Sequence, residues 1–278
     1  MKMPIVNFDD HFAEFMSKWT KEHENEYENY DDMEADLPKI YMTFLNTRAS
    51  WLGNVTPGSY FTQFEDPKVL VDWMRAYCDE RVPIPDPLLE QIAFVGKPCE
   101  KRLLALLQDE EADRTAQMTA IELLREMEST QPKMLYIKWQ LNREEKDEVK
   151  DNAVESLCVM GDMVIQPIMQ VIGKANQYGQ EALLEVLTHY PASEQTFQLA
   201  LRLFREHPEK RALYAGYLAK IGDERALEPL TEASREERLS YLTYIEIRNA
   251  IESLGGNCPE REYEDDPEYE ALRNADMT

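Results

Sequence analysis

The chain has 278 residues, with 54 Asp and Glu against 30 Lys and Arg and a net charge of −24. Such a chain repels polyanions, because nucleic-acid binding draws most of its strength from cations on phosphate, and it is disfavoured at anionic membrane surfaces on the same ground. The length suffices for a sizeable buried core, in one elongated domain or two compact ones.

The start MKMPIVNFDD lacks an apolar signal core, and no stretch approaches the roughly twenty apolar residues of a membrane span. Cys78, Cys99, Cys158 and Cys258 are scattered without metal-ligand spacing. These features predict a soluble cytoplasmic protein, with Cys99 and Cys158 packed as small hydrophobes.

In chain order, Phe8, Phe12, Phe15 and Trp19 recur at helical spacing and mark one face of an amphipathic helix that docks. Glu22 to Asp36 is acidic, with Tyr27 and Tyr30 interleaved. It reads as a solvated helix or mobile loop, or as an acidic lure for a basic partner. A helix is expected from Pro38 through PKIYMTFLNTRASWL until Gly53. Another opens at Asp66-Pro67, in which Val69, Leu70, Val71, Trp73, Met74 and Tyr77 pack on more than one side. Trp19, Trp51 and Trp73 all fall here, and region 1–82 is expected to be an acidic, aromatic-rich helical cap over an array that follows. The prolines of Arg81 to Pro87 then make a stiff extended connector, read as a domain boundary.

From Pro87 to Gly256 the pattern is one of helix pairs. The clearest is Arg211 to Ala233, RALYAGYLAKIGDERALEPLTEA. Ala212, Ala215, Leu218, Ala219 and Ile221 form a packing face, and Gly222 can take the left-handed conformation that ends a helix. Asp223 can accept from the free amides of the next helix, and Leu227, Leu230 and Ala233 resume the spacing, with Pro229 in or near its first turn. Asn152-Ala-Val-Glu-Ser-Leu-Cys158 and Asn249-Ala-Ile-Glu-Ser-Leu-Gly255 are near copies of one another. Turns at Gly96, Gln131-Pro132, Gly161-Asp162, Tyr190-Pro191, Gly222-Asp223 and Gly255-Gly256 recur at roughly thirty residues, a helix-pair period. The stretch Lys133 to Leu141 departs most from the pattern, with Tyr136 and Trp139 where smaller residues are usual, and irregular packing is expected there.

The IGDERALEPLTEA segment resembles the HEAT-like repeat first associated with phycobilisome lyases, in its helix, Ile-Gly-Asp turn and Pro-Leu second helix. Val159 to Asp162 with Pro167-Ile168 is similar but one residue shorter. The resemblance implies an all-α fold, an α-solenoid of about five or six HEAT-like helix pairs over 87–256. It does not by itself imply lyase chemistry. Other enzymes built of such repeats need features this chain lacks: several His-Glu pairs for a diiron centre, where only His23-Glu24 is present beside His11, His189 and His207, or a basic groove for DNA. No phosphate loop or nucleophile elbow occurs. No catalytic residue, metal site or cofactor is assigned.

In solenoids of paired helices the second helix of each pair generally lines the concave, binding side. On the wheel Gln166 and Gln170, Gln198 and Arg202, and Glu228 and Glu232 point outward in similar register, a polar ladder that reads as the solvated faces of amphipathic helices or as a groove for an extended peptide. Beyond Gly256 the segment 257–278 is acidic; it reads as a disordered tail or, through Tyr263 and Tyr269, as a segment that folds over the array or occupies a basic groove on a partner. The expected function is a non-catalytic scaffold or adaptor that binds a protein or peptide, basic on charge grounds, on the concave face. A lyase-like or chromophore-handling HEAT-repeat enzyme or accessory is the alternative. The oligomeric state is not legible.

Overall fold

In the computed structural model the residues described are 3–23, 30–237, 239–258, 260, 261, 263 and 269. Among them the chain forms fifteen α-helices and no β-strand, so the fold is all-α. Glu24, Glu26, Tyr27 and Glu28 of the first acidic run, and Glu262, Glu264, Asp265, Asp266, Glu268, Glu270, Arg273 and Asp276 of the last, lie outside the described residues. The chain divides into two compact units, Met1–Pro132 and Lys133–Thr278.

The first unit contains α1 (Phe8–Glu22), α2 (Tyr30–Ala35), α3 (Leu37–Asn46), α4 (Pro67–Asp79), α5 (Asp86–Val95), α6 (Lys97–Leu107) and α7 (Arg114–Glu126). The Asn7 side chain starts α1 by accepting from the amides of Asp9 and Asp10. The aromatic face of α1 then docks as its spacing predicts: Phe8 packs edge-on to Trp51 at 5.1 Å, and Phe12 and Phe15 lie 5.3 and 5.6 Å from Phe44 of α3. Leu70, Trp73, Met74 and Tyr77 of α4 are all but completely buried. The segment before α1 is tied to them, because Trp73 Nε1 donates to the Pro4 carbonyl at 2.9 Å and Tyr77 Oη to that of Val6 at 3.1 Å.

Helix α3 ends at Asn46, short of the expected Leu52. The reason is local: Thr43, Asn46 and Thr47 each turn a side-chain donor back to the carbonyl four residues earlier, and Thr47 is already extended. A 3₁₀ turn over Ser50–Leu52 and a single bridge between Ala49 and Val55 follow. The proline connector at 81–87 separates α4 from α5, but both helices lie inside the first unit and pack on one another.

The second unit contains α8 (Lys133–Gln140), α9 (Glu148–Val159), α10 (Ile165–Val171), α11 (Gln177–Leu187), α12 (Glu194–Glu206), α13 (Arg211–Ile221), α14 (Leu227–Ser234) and α15 (Tyr241–Ser253). Helix α9 packs on α11 and α13 on α15, while α12 lies against α13 and α14 against α15. Tyr136 and Ile137 are fully buried, and Gly179 of α11 comes so close that a Cβ there would strike the Gln140 carbonyl oxygen. Asn176 seals this junction: its amide donates to the Leu141 carbonyl and its side chain to that of Arg143, both at 2.8 Å.

The acidic C-terminal segment begins as a folded strap. Cys258 and Tyr263 are buried, the Tyr263 ring lies 5.4 and 5.3 Å from Tyr241 and Tyr244 of α15, and Tyr269 lies 5.0 Å from Tyr241. Arg261 donates to the Glu236 and Glu237 carbonyls in the loop before α15.

Candidate functional site

The helix pair α13–α14 shows how the outward positions are placed. Gly222 takes φ 73°, the left-handed geometry that lets α13 stop, and the Asp223 carboxylate accepts from the Arg225 amide. One 3₁₀ turn then feeds α14, in which Pro229, Leu230 and Ala233 are buried and Glu228 and Glu232 exposed. Helix α12 is capped by Ser193, whose hydroxyl accepts from the Thr196 amide at 3.1 Å; its buried stripe includes Phe197, Ala200 and Phe204, leaving Gln198 and Arg202 outside. On α10, Ile168 is buried and Gln166 and Gln170 are exposed.

All six ladder residues are thus accessible, on three helices of one unit. They differ in what holds them. Gln198 donates to Glu194 at 2.9 Å, and Arg202 donates to Glu206 and to the Gln180 side chain, each at 3.3 Å. Gln166, Gln170, Glu228 and Glu232 make no side-chain hydrogen bond or ion pair among the described residues, and no two of the six bond to each other. Four of the six therefore have free polar ends.

Two residues outside the ladder organise its middle. Arg225 reaches from the turn before α14 to Glu194 at the start of α12, with Nη2 2.6 Å from Glu194 Oε2 and Nη1 3.1 Å from Oε1. The same guanidinium holds Asp223 at 2.6 Å and lies 4.4 Å from the centre of the Phe197 ring. Hydrogen bonds from Arg225 keep the Glu194 and Asp223 carboxyls below their ordinary pKa, and those bonds raise that of Arg225 in turn. Sequence reasoning missed this clamp. The Asp223-Glu-Arg225 spacing is visible as a local pair, but nothing in the chain points to Glu194.

Beneath the surface lies a polar cluster that the spacing did not reveal. Tyr214 of α13 is fully buried and donates to Glu181 Oε1 of α11 at 2.8 Å, while Lys210 Nζ pairs with Oε2 of the same carboxylate at 2.7 Å. Lys210 also sits 4.7 Å over the Tyr178 ring. Burial, reinforced by the Glu181 hydrogen bond and charge, raises the Tyr214 hydroxyl well above its ordinary pKa; burial likewise raises Tyr217. The packing face of α13 therefore includes two tyrosines besides Ala215 and Leu218.

The cysteines and histidines are engaged structurally. Burial pushes the Cys78, Cys99 and Cys158 thiols up to about 11, a range in which thiolate chemistry is suppressed at neutral pH. The His189 ring nitrogen lies 2.9 Å from the Glu185 carbonyl, and His207 contacts Gln177 and Glu209 at 3.2 Å. Among the described residues no three His, Cys, Asp or Glu side chains are grouped to hold a metal ion, and no single helix is long and apolar enough to cross a membrane. Comparison with protein-family models, with curated proteins and with solved structures returns no match.

Proposed function

We propose that the helix pairs of residues 87–256 are HEAT-like repeats and that the protein is a non-catalytic scaffold, binding a basic protein or peptide segment along α10, α12 and α14. The observation that carries this reading is the accessibility of Gln166, Gln170, Gln198, Arg202, Glu228 and Glu232 at matched positions on alternate helices. Packing of α9 on α11 and of α13 on α15 supports the repeat character, because first helices of successive pairs stack on one another in such arrays.

The chemistry of the face suits an extended chain. Glutamine amides both donate to and accept from a peptide backbone, and Glu228 and Glu232 supply free carboxylates for a lysine or arginine at one end. The net charge of −24 adds long-range attraction for a basic partner.

The test is affinity capture with the full chain beside the triple variant Gln166→Lys, Gln198→Lys, Glu228→Lys. These positions are exposed, so the melting temperature should hold while capture of a stoichiometric partner is lost. Equal capture by both proteins, or a partner whose binding face maps elsewhere by cross-linking, would remove the ladder from the function.

A further inference from the structure

The first unit contains a cavity of about 420 Å³ between α1 and the loop that follows α3. Its wall is aromatic. The His11 ring lies flat on Trp51, centroids 4.0 Å apart and planes within 6°, and Phe15 and Phe44, 5.6 Å apart, line the same cavity. Its rim is cationic. Lys18 of α1 and Arg48 of the loop both line it, and neither has a carboxylate partner among the described residues. Glu14 is the single lining carboxylate, and it sits 3.8 Å from the His11 imidazole.

The loop that carries Arg48 and Trp51 is well pinned. Ala49 donates to the Val55 carbonyl at 3.1 Å and accepts from the Asn54 amide at 2.9 Å, with Gly53 and Asn54 both left-handed to close the turn. Arg48 Nη1 donates to the Asn54 carbonyl at 3.1 Å, which steadies the guanidinium without neutralising it. Two positive groups, Arg48 anchored and Lys18 unpaired among the described residues, therefore line an aromatic-walled cavity in a chain whose overall field is negative. A volume of this size is in the range of small-molecule sites, about 300–1,000 Å³, and too small for a folded partner.

We propose that this cavity binds a small organic anion with a flat apolar body, an aryl phosphate or aryl carboxylate. The ring packs against Phe15 beside the His11–Trp51 stack, and the anionic group sits between Lys18 and Arg48. A guanidinium presents a planar fork to two oxygens at once, and an ammonium adds a point charge, so the pair matches a phosphate or carboxylate better than a neutral group. The site is independent of the face on α10, α12 and α14.

The test is calorimetric titration of the intact chain with phenyl phosphate, alongside inorganic phosphate and phenol as its two halves. Saturable one-to-one binding of phenyl phosphate is expected, with each half weaker by about tenfold or more. The double variant Lys18→Gln, Arg48→Gln should lose about tenfold or more in affinity, at an unchanged melting temperature because both side chains are exposed. Arg48→Lys, which keeps the charge and loses the fork, should fall between the two and serves as the readout if the double variant melts early. Absence of saturable binding to the intact chain overturns the proposal. So does equal affinity of the variants, or phenol binding as tightly as phenyl phosphate.

Discussion

Arg225 and Glu194 stand 31 residues apart in the chain and are joined by two hydrogen bonds, at 3.1 and 2.6 Å. The bond ties the turn that launches α14 to the first turn of α12. It thereby fixes the starts of α12 and α14 relative to each other.

Arg225→Ala should release Glu194 and Asp223 toward ordinary carboxylate titration. Both carboxyls are depressed in the fold, so the contribution of these bonds is present at neutral pH and lost only as pH falls through the lowered folded values. Carboxyl-detected NMR titration of wild type and variant measures this directly. Unchanged Glu194 titration in the variant would mean that the clamp does not exist in solution. On the proposed function, the variant also weakens capture of a basic partner, because α12 and α14 lose their common anchor.

Tyr214→Phe should destabilise the protein by about 1–3 kcal/mol, since it removes the only donor that a buried tyrosine offers to the buried Glu181. Urea denaturation at neutral pH gives the value. A difference below the error of that measurement would show that Lys210 alone satisfies the carboxylate.

Buried tyrosines in both units predict an alkaline limit. The hydroxyls of Tyr77, Tyr214 and Tyr217 have folded pKa values above the ordinary 10.0. At pH below the unfolded value both states hold the proton and stability is unaffected. Above it the unfolded chain releases protons that the fold retains, so stability should fall as pH rises beyond about 10. Urea midpoints at about pH 8 and about pH 11 should show this loss, and Tyr214→Phe should make it shallower.

Gly179→Ala should cost about 1–3 kcal/mol even though alanine is the better helix former, because the added methyl meets the Gln140 backbone rather than a side chain that can move. A thermal melt showing equal or greater stability would mean that α8 and α11 are less closely packed than described.

Tyr263→Ala should cost about 2–4 kcal/mol by opening the aromatic contact on α15. A chain cut after Gly256 loses the same contact together with buried Cys258. It is therefore a test of stability as well as of the acidic segment, and its denaturant midpoint should be compared with that of the full chain before any binding result is read from it.

Much of the helical framework was legible in the chain itself. The aromatic face of α1, the Gly222-Asp223 turn with its flanking helices and the exposure of all six polar-row residues follow from spacing and capping. These are governed by forces acting within four residues. The end of α3 at Asn46 rather than Leu52 has a cause of the same local kind, since the side chains of Thr43, Asn46 and Thr47 compete for main-chain carbonyls four residues earlier.

What only the tertiary structure decided is which distant residues meet. Glu194 with Arg225, Tyr214 with Glu181, Gly179 with the Gln140 carbonyl, His11 on Trp51 and Tyr263 on α15 each depend on how one helix sits against another. The periodic pattern states that a face is buried but not what lies opposite it. The chain alone therefore determined helices, turns and sidedness, since local hydrogen bonding and amphipathic period set those. Packing between helices selected the polar pairs and the aromatic cavity, because a charge or a ring is stabilised by the specific group it contacts, and sequence spacing does not encode that contact.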